Sequence, residues 1–75
     1  MELIELKERI KEFLETEPEL AYTMDELAEQ FNEERWLIQK AVSQLDDERV
    51  IRIRVQRGVV YAHIKEGKKS GEQIP

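Results

Sequence analysis

The side chains able to do chemistry in this 75-residue chain are 17 carboxylates, 12 lysines and arginines, and one histidine. There is no cysteine, which excludes thiol catalysis, disulfides and cysteine zinc sites. His63 has only Glu66 near it in sequence, so we predict no metal site. The carboxylates fall on faces predicted to be exposed, where burial would not prepare them for acid–base catalysis. We therefore expect no enzyme activity, no cofactor and no small-molecule substrate.

The charges are divided unevenly along the chain. Residues 1–34 contain twelve acids and three bases, a net charge of -9, whereas residues 35–75 contain nine bases and five acids, a net charge of +4. The overall charge of -5 argues against a generally basic nucleic-acid binder. Because charges are screened over about 8 Å at physiological salt, the two regions can present separate faces to a partner. The alternative is that the charge serves solubility.

The elements that must position these charges begin with two helices. Leucine, isoleucine and phenylalanine recur at helical spacing in residues 2–16, and Pro18 ends the pattern. A second helix is predicted to begin after Thr23, because Thr23 and Glu26 have the T-x-x-E spacing of a capping box. It is predicted to end at Asn32, a residue that tolerates left-handed backbone.

A third helix is predicted over residues 33–47. Its inward stripe is aliphatic and consists of Ile38, Ala41, Val42 and Leu45. At 100° per residue, the side chains of Trp36, Lys40 and Ser43 lie on the opposite side of this helix.

Residues 50–64 change from helical spacing to alternation, which predicts a β-hairpin. A two-residue turn at Arg57-Gly58 sets Gln56 opposite Val59 and makes one face entirely apolar: Ile51, Ile53, Val55, Val60, Ala62 and Ile64. We predict that this face covers the core. Residues 1–64 would then form one domain, and residues 65–75 a flexible polar tail.

The order of these elements resembles the winged helix-turn-helix superfamily over roughly residues 3–64. The resemblance is carried by the segment Tyr22–Ala28, by Phe31-Asn32, by the aliphatic spine of the third helix, and by Val50-Ile51 entering the hairpin. It implies an α+β fold with a three-helix core and a small antiparallel sheet, made of a two-stranded wing and a short strand before the second helix.

The resemblance also implies binding to double-stranded DNA, as in a small transcriptional regulator. The third helix would enter the major groove, and the wing would contact the backbone. Carried over to this chain, the groove-facing candidates are Arg35, Trp36, Gln39, Lys40 and Ser43, and the wing candidates are Arg52, Arg54 and Arg57. One departure from the family is the acidic pair Glu33 and Glu34, which stands at the start of the third helix and repels phosphate.

An alternative function is a protein-interaction module that does not bind DNA. Trp36 with Leu37 would then be its exposed anchor, because tryptophan is enriched among the residues that dominate interface energetics. In either case a homodimer or a protein partner is expected. No apolar run approaches a membrane span, and the N-terminus has no signal-peptide pattern, so we expect a cytoplasmic protein.

Overall fold

The computed structural model describes residues 2–64, which contain three helices and a three-stranded antiparallel sheet. In chain order the elements are α1 (Leu3–Thr16), β1 (Tyr22–Thr23), α2 (Met24–Phe31), α3 (Arg35–Asp47), β2 (Ile51–Gln56) and β3 (Val59–Ile64). This is an α+β fold consistent with the winged-helix layout, so the predicted fold class is confirmed. The predicted tail, residues 65–75, lies outside the described residues.

The start of α2 has the predicted capping box. The Thr23 hydroxyl accepts a hydrogen bond from the Glu26 backbone N–H at 3.1 Å, and the Glu26 carboxylate accepts one from the Thr23 N–H at 2.9 Å. Two backbone donors that the helix cannot satisfy internally are thus paired. At the other end Asn32 takes the predicted left-handed conformation, with φ 55°.

The helix α3 begins two residues later than predicted. It starts at Arg35, and Glu34 is its N-cap residue without a side-chain capping bond. The expectation that Glu33 and Glu34 occupy the first turn of this helix is therefore wrong. Glutamate is not among the preferred N-cap residues, which are Ser, Thr, Asp and Asn, so the sequence carried no capping signal at this helix start.

The end of α3 is closed without glycine. Arg49 has φ 65°, its N–H donates to the carbonyl of Asp46, and the N–H of Val50 donates to the carbonyl of Leu45. These two bonds form a Schellman motif, in which the left-handed residue is usually glycine. Arg49 therefore has a left-handed backbone conformation, which is unfavourable for a residue with a Cβ because the Cβ comes close to the following carbonyl oxygen.

The hairpin has the predicted register at all six positions, from Gln56 opposite Val59 to Ile51 opposite Ile64. The strand β1 adds to the other side of β3, with Tyr22 opposite Ala62, so the order in the sheet is β1-β3-β2. Within the described residues, β2 is therefore an edge strand.

The core is built from one face of each helix and the base of the hairpin. Its buried hydrophobic residues are Leu6, Ile10, Leu14, Met24, Leu27, Ile38, Ala41, Val42, Leu45, Ile51, Ala62 and Ile64. The ammonium of Lys7 also lies 2.6 Å from the carboxylate of Glu48 and so joins α1 to the end of α3. Within residues 2–64, no helix has the length and apolar character needed to cross a membrane.

The apolar face of the hairpin is only half covered, contrary to the prediction that all of it packs on the core. Ile53, Val55 and Val60 remain 37%, 63% and 36% exposed, respectively. Val55 and Val60 face each other near the turn, Ile51 and Ile64 are the buried pair at the base, and Ile53 lies between them on the edge strand, opposite the buried Ala62. The turn end of the hairpin, with Val55 and Val60, thus projects beyond the core.

Candidate nucleic-acid interface

The five candidates on α3 lie on its solvent-facing side. Arg35, Trp36, Gln39, Lys40 and Ser43 are all exposed, whereas the aliphatic stripe that begins at Ile38 is buried. Their spacings of three and four residues place them next to one another along a single helix face. Trp36 is 61% exposed, so it is a surface residue and not part of the core.

Arg35 has a partner inside the chain. Its guanidinium Nε lies 3.3 Å from the Asp25 carboxylate, which belongs to the first turn of α2. Asp25 is well placed on its own helix, because the N-terminal end of a helix favours negative charge. Arg35 is placed at the corresponding end of α3, where a cation is disfavoured, and the Asp25 carboxylate offsets that cost. This contact was not predicted from the sequence.

Acidic side chains border the exposed face of α3 at both ends. Glu34 precedes the helix and is exposed, and Asp47, four residues after Ser43, is exposed at its last position. Phosphate is therefore favoured beside the middle of the helix, at Gln39 and Lys40, and disfavoured beside either end.

The turn of the wing holds an arginine in an unusual conformation. Arg57 has φ 53° and Gly58 has φ 78°, the two positive values of a type I′ turn. Asparagine or aspartate is the usual first residue of such a turn, since their short side chains tolerate left-handed backbone. The arginine places an exposed guanidinium at the farthest point of the hairpin despite its conformational cost.

The other two wing candidates lie on the face opposite the apolar side chains. Arg52 is opposite His63 and Arg54 is opposite Tyr61, and both arginines are exposed. Among the described residues, Arg52, Arg54 and Arg57 make no ion pair, in contrast to Arg35. Residues 49–64 contain four arginines and no acid, so this segment is the most cationic part of the described chain.

Arg49 is a further cation beside the site, and it was not among the predicted site residues. A shallow groove between the end of α3 and the start of β2 is lined by Asp46, Arg49, Ile51, Arg52 and Ile53. Arg49 and Arg52 therefore lie on the same groove, which Asp46 of α3 also borders. The available signal was the position of Arg49 directly after a helix, between two candidate elements.

The described residues do not show the groups needed for metal chemistry. In residues 2–64 no three His, Asp or Glu side chains are arranged to hold a metal ion. His63 is half-buried, with its Nδ1 atom 3.1 Å from the carbonyl oxygen of Ile64. What the arrangement offers instead is a set of cations and hydrogen-bonding groups on two adjacent elements.

Comparison of the chain with protein-family models, curated proteins and solved structures found no match.

Proposed function

We propose that this protein binds double-stranded DNA, with α3 in the major groove and the wing against the phosphate backbone. The observation that carries the proposal is that the three wing arginines are exposed and make no ion pair within residues 2–64. Unpaired cations on a hairpin are suited to neutralising phosphates, which supplies most of the affinity for nucleic acid. A role in transcription regulation, in the cytoplasm, belongs to the same proposal.

The exposed face of α3 supplies groups that suit base reading. Gln39 can pair with an adenine edge, Ser43 can bond to several bases, and Trp36 can contact a thymine methyl group. Lys40 can neutralise a phosphate beside the middle of the helix, whereas Arg35 can contact one only by giving up its ion pair with Asp25. The acidic face of α1 would be turned away from DNA and so would orient the approach.

The strain at Arg57 supports the same proposal. A residue kept in a sparsely populated conformation is a reason to look for a role of its side chain. An exposed cation at a hairpin tip makes no contribution to the core, whereas it can reach a phosphate or a narrow minor groove.

The test is a titration of the protein with a random-sequence duplex at stepped salt concentrations. Trp36 is the single tryptophan, so its fluorescence reports on the α3 face directly. We expect a fluorescence change that is reversed by salt, with about four phosphate contacts giving a slope near -4 in log K against log salt. Absence of any change at low salt, together with unchanged anisotropy of a labelled duplex, would overturn the proposal.

A second candidate function rests on the exposure of Trp36. A tryptophan that is 61% exposed is a suitable anchor for a protein partner, in a scaffold that does not bind DNA. The acidic residues at both ends of α3 favour this alternative. The same titration separates the two functions, because the protein-binding alternative predicts no response to duplex at any salt concentration.

A further inference from the structure

The outer edge of β2 is unpaired among the described residues, and its backbone N–H and C=O groups point outward at every second residue. Because Gln56 and Val59 flank a two-residue turn, they form a hydrogen-bonded pair, and bonded pairs then alternate along the hairpin. The N–H and C=O groups of Ile53 and Val55 consequently point away from β3. Ala62, which lies opposite Ile53, likewise points its backbone N–H and C=O away from β2, and these groups face Tyr22 of β1.

The side chains of this edge strand separate by chemistry. Ile53 and Val55 lie on the apolar face beyond the core and are 37% and 63% exposed. Arg52 and Arg54 lie on the opposite face, exposed and without an ion pair among residues 2–64. A strand that paired with β2 would therefore meet an apolar surface on one face and two guanidinium groups on the other.

We propose that β2 binds an extended segment of a partner protein in which acidic and apolar residues alternate. Backbone hydrogen bonds to Ile53 and Val55 supply register, as in other cases of strand addition at a sheet edge. The partner's apolar side chains lie beside Val55 and Ile53, and its carboxylates lie beside Arg54 and Arg52. The inference shares Arg52 and Arg54 with the DNA proposal but does not depend on it, because the backbone edge that supplies the register is one that DNA does not pair with.

Charge complementarity selects this occupant over a second copy of the chain. An antiparallel two-fold pairing of β2 with itself would set the arginines of the two copies opposite one another, and like charges at facing positions destabilise a sheet. An acidic strand removes this repulsion and gives each arginine a counter-ion. Charged side chains on an edge also oppose unspecific aggregation, so a free edge of this kind is compatible with a monomer.

The test uses labelled peptides of about nine residues, close to the upper length of ordinary strands. One alternates glutamate with valine, a second alternates lysine with valine, and a third alternates glutamate with serine. We expect the Glu/Val peptide to bind at least about tenfold more tightly than either of the others by anisotropy. We also expect it to slow amide hydrogen exchange at Ile53 and Val55. Equal binding of the Glu/Ser peptide, or no binding of the Glu/Val peptide, would overturn the proposal.

Two sets of variants separate strand pairing from general charge attraction. Val55→Pro removes the outward N–H at a position that does not bond to β3, so the hairpin tolerates it, while Val55→Thr keeps both the N–H and the shape. We expect at least a tenfold loss for the proline variant and less than about a threefold change for the threonine variant. Undiminished binding by a folded proline variant would overturn strand addition.

The charge-swapped variant R52E/R54E provides the second measurement, which applies even if the proline variant fails to fold. We expect this variant to lose its binding of the Glu/Val peptide and to bind the Lys/Val peptide instead. Retained preference for the Glu/Val peptide would contradict the role of the two arginines. The unmodified protein is titrated with duplex DNA in parallel. If it binds the Glu/Val peptide but not DNA, the DNA proposal alone is refuted.

Discussion

The guanidinium of Arg35 lies 3.3 Å from the carboxylate of Asp25, and this contact joins the first turn of α3 to the first turn of α2. Both side chains are largely exposed, so the pair contributes at most about 1 kcal/mol to stability. Its larger effect concerns binding, because Asp25 competes with any incoming phosphate for Arg35, one of the two charged candidates on α3.

Replacing Asp25 with asparagine should strengthen DNA binding. Asp25→Asn releases Arg35 and removes a negative charge near the approaching phosphates, so we expect affinity for a random duplex to rise about two- to fivefold at low salt. Duplex anisotropy measures the change. Asp25→Glu, which keeps the charge, is the control and should leave the affinity nearly unaltered; an unaltered affinity for both variants would place this end of α3 away from DNA.

Replacing Arg57 with asparagine should affect stability and binding in opposite directions. Arg57→Asn suits the left-handed position of the type I′ turn and should stabilise the fold by up to about 1 kcal/mol in urea unfolding. It also removes a phosphate contact, so the salt slope should fall by about one. Arg57→Lys keeps the cation and should retain the slope. If the asparagine variant had the wild-type slope, Arg57 would not contact phosphate.

Replacing Arg49 with glycine should stabilise the protein. The backbone of Arg49 has φ 65° in the Schellman motif, and glycine takes that conformation without a Cβ penalty. We expect a gain of about 0.5–1 kcal/mol in the free energy of unfolding, measured with urea. Arg49→Ala removes the same charge and keeps the Cβ, so it should give no such gain. Equal gains in both variants would attribute the effect to charge.

Replacing Thr23 with alanine should weaken the start of α2. The variant loses the hydroxyl that accepts from the Glu26 N–H at 3.1 Å, and the loss of such a cap costs about 1 kcal/mol. Thermal unfolding measures the difference, with Thr23→Ser as the control that keeps the oxygen. If the alanine and serine variants unfolded at the same temperature, the capping bond would contribute nothing measurable.

Replacing Trp36 with alanine should leave the fold nearly as stable as before. A side chain that is 61% exposed supports little of the core, so we expect a loss below about 1 kcal/mol, with clearly weaker binding to duplex or to a protein partner. Ile38→Ala is the contrasting variant, because Ile38 is fully buried on the same helix and its truncation should cost about 2–5 kcal/mol. If both variants lost a comparable free energy of unfolding, the tryptophan would pack on the core in solution.

Local pattern was sufficient to predict several elements of this protein from its sequence. The capping box at Thr23 depends on two side chains three residues apart, and the hairpin register depends on one turn and a period of two. Such features are decided by neighbours along the chain. The start of α3 was misplaced because Glu33 and Glu34 are acceptable both in a first turn and before one, and only the observed backbone distinguishes the two.

Patterns along the chain are thus enough to predict the elements apart from the start of α3, their apolar faces, and the pairing of β2 with β3. How far those faces are covered depends on how the elements pack together: Ile51 and Ala62 are buried and Val55 is left in solvent, although all three follow the same alternation. The same packing decides that Trp36 is exposed and that Arg35 meets Asp25. The physical reason is that burial and ion pairing depend on the lengths and relative placement of separate elements, which periodicity within one element does not encode.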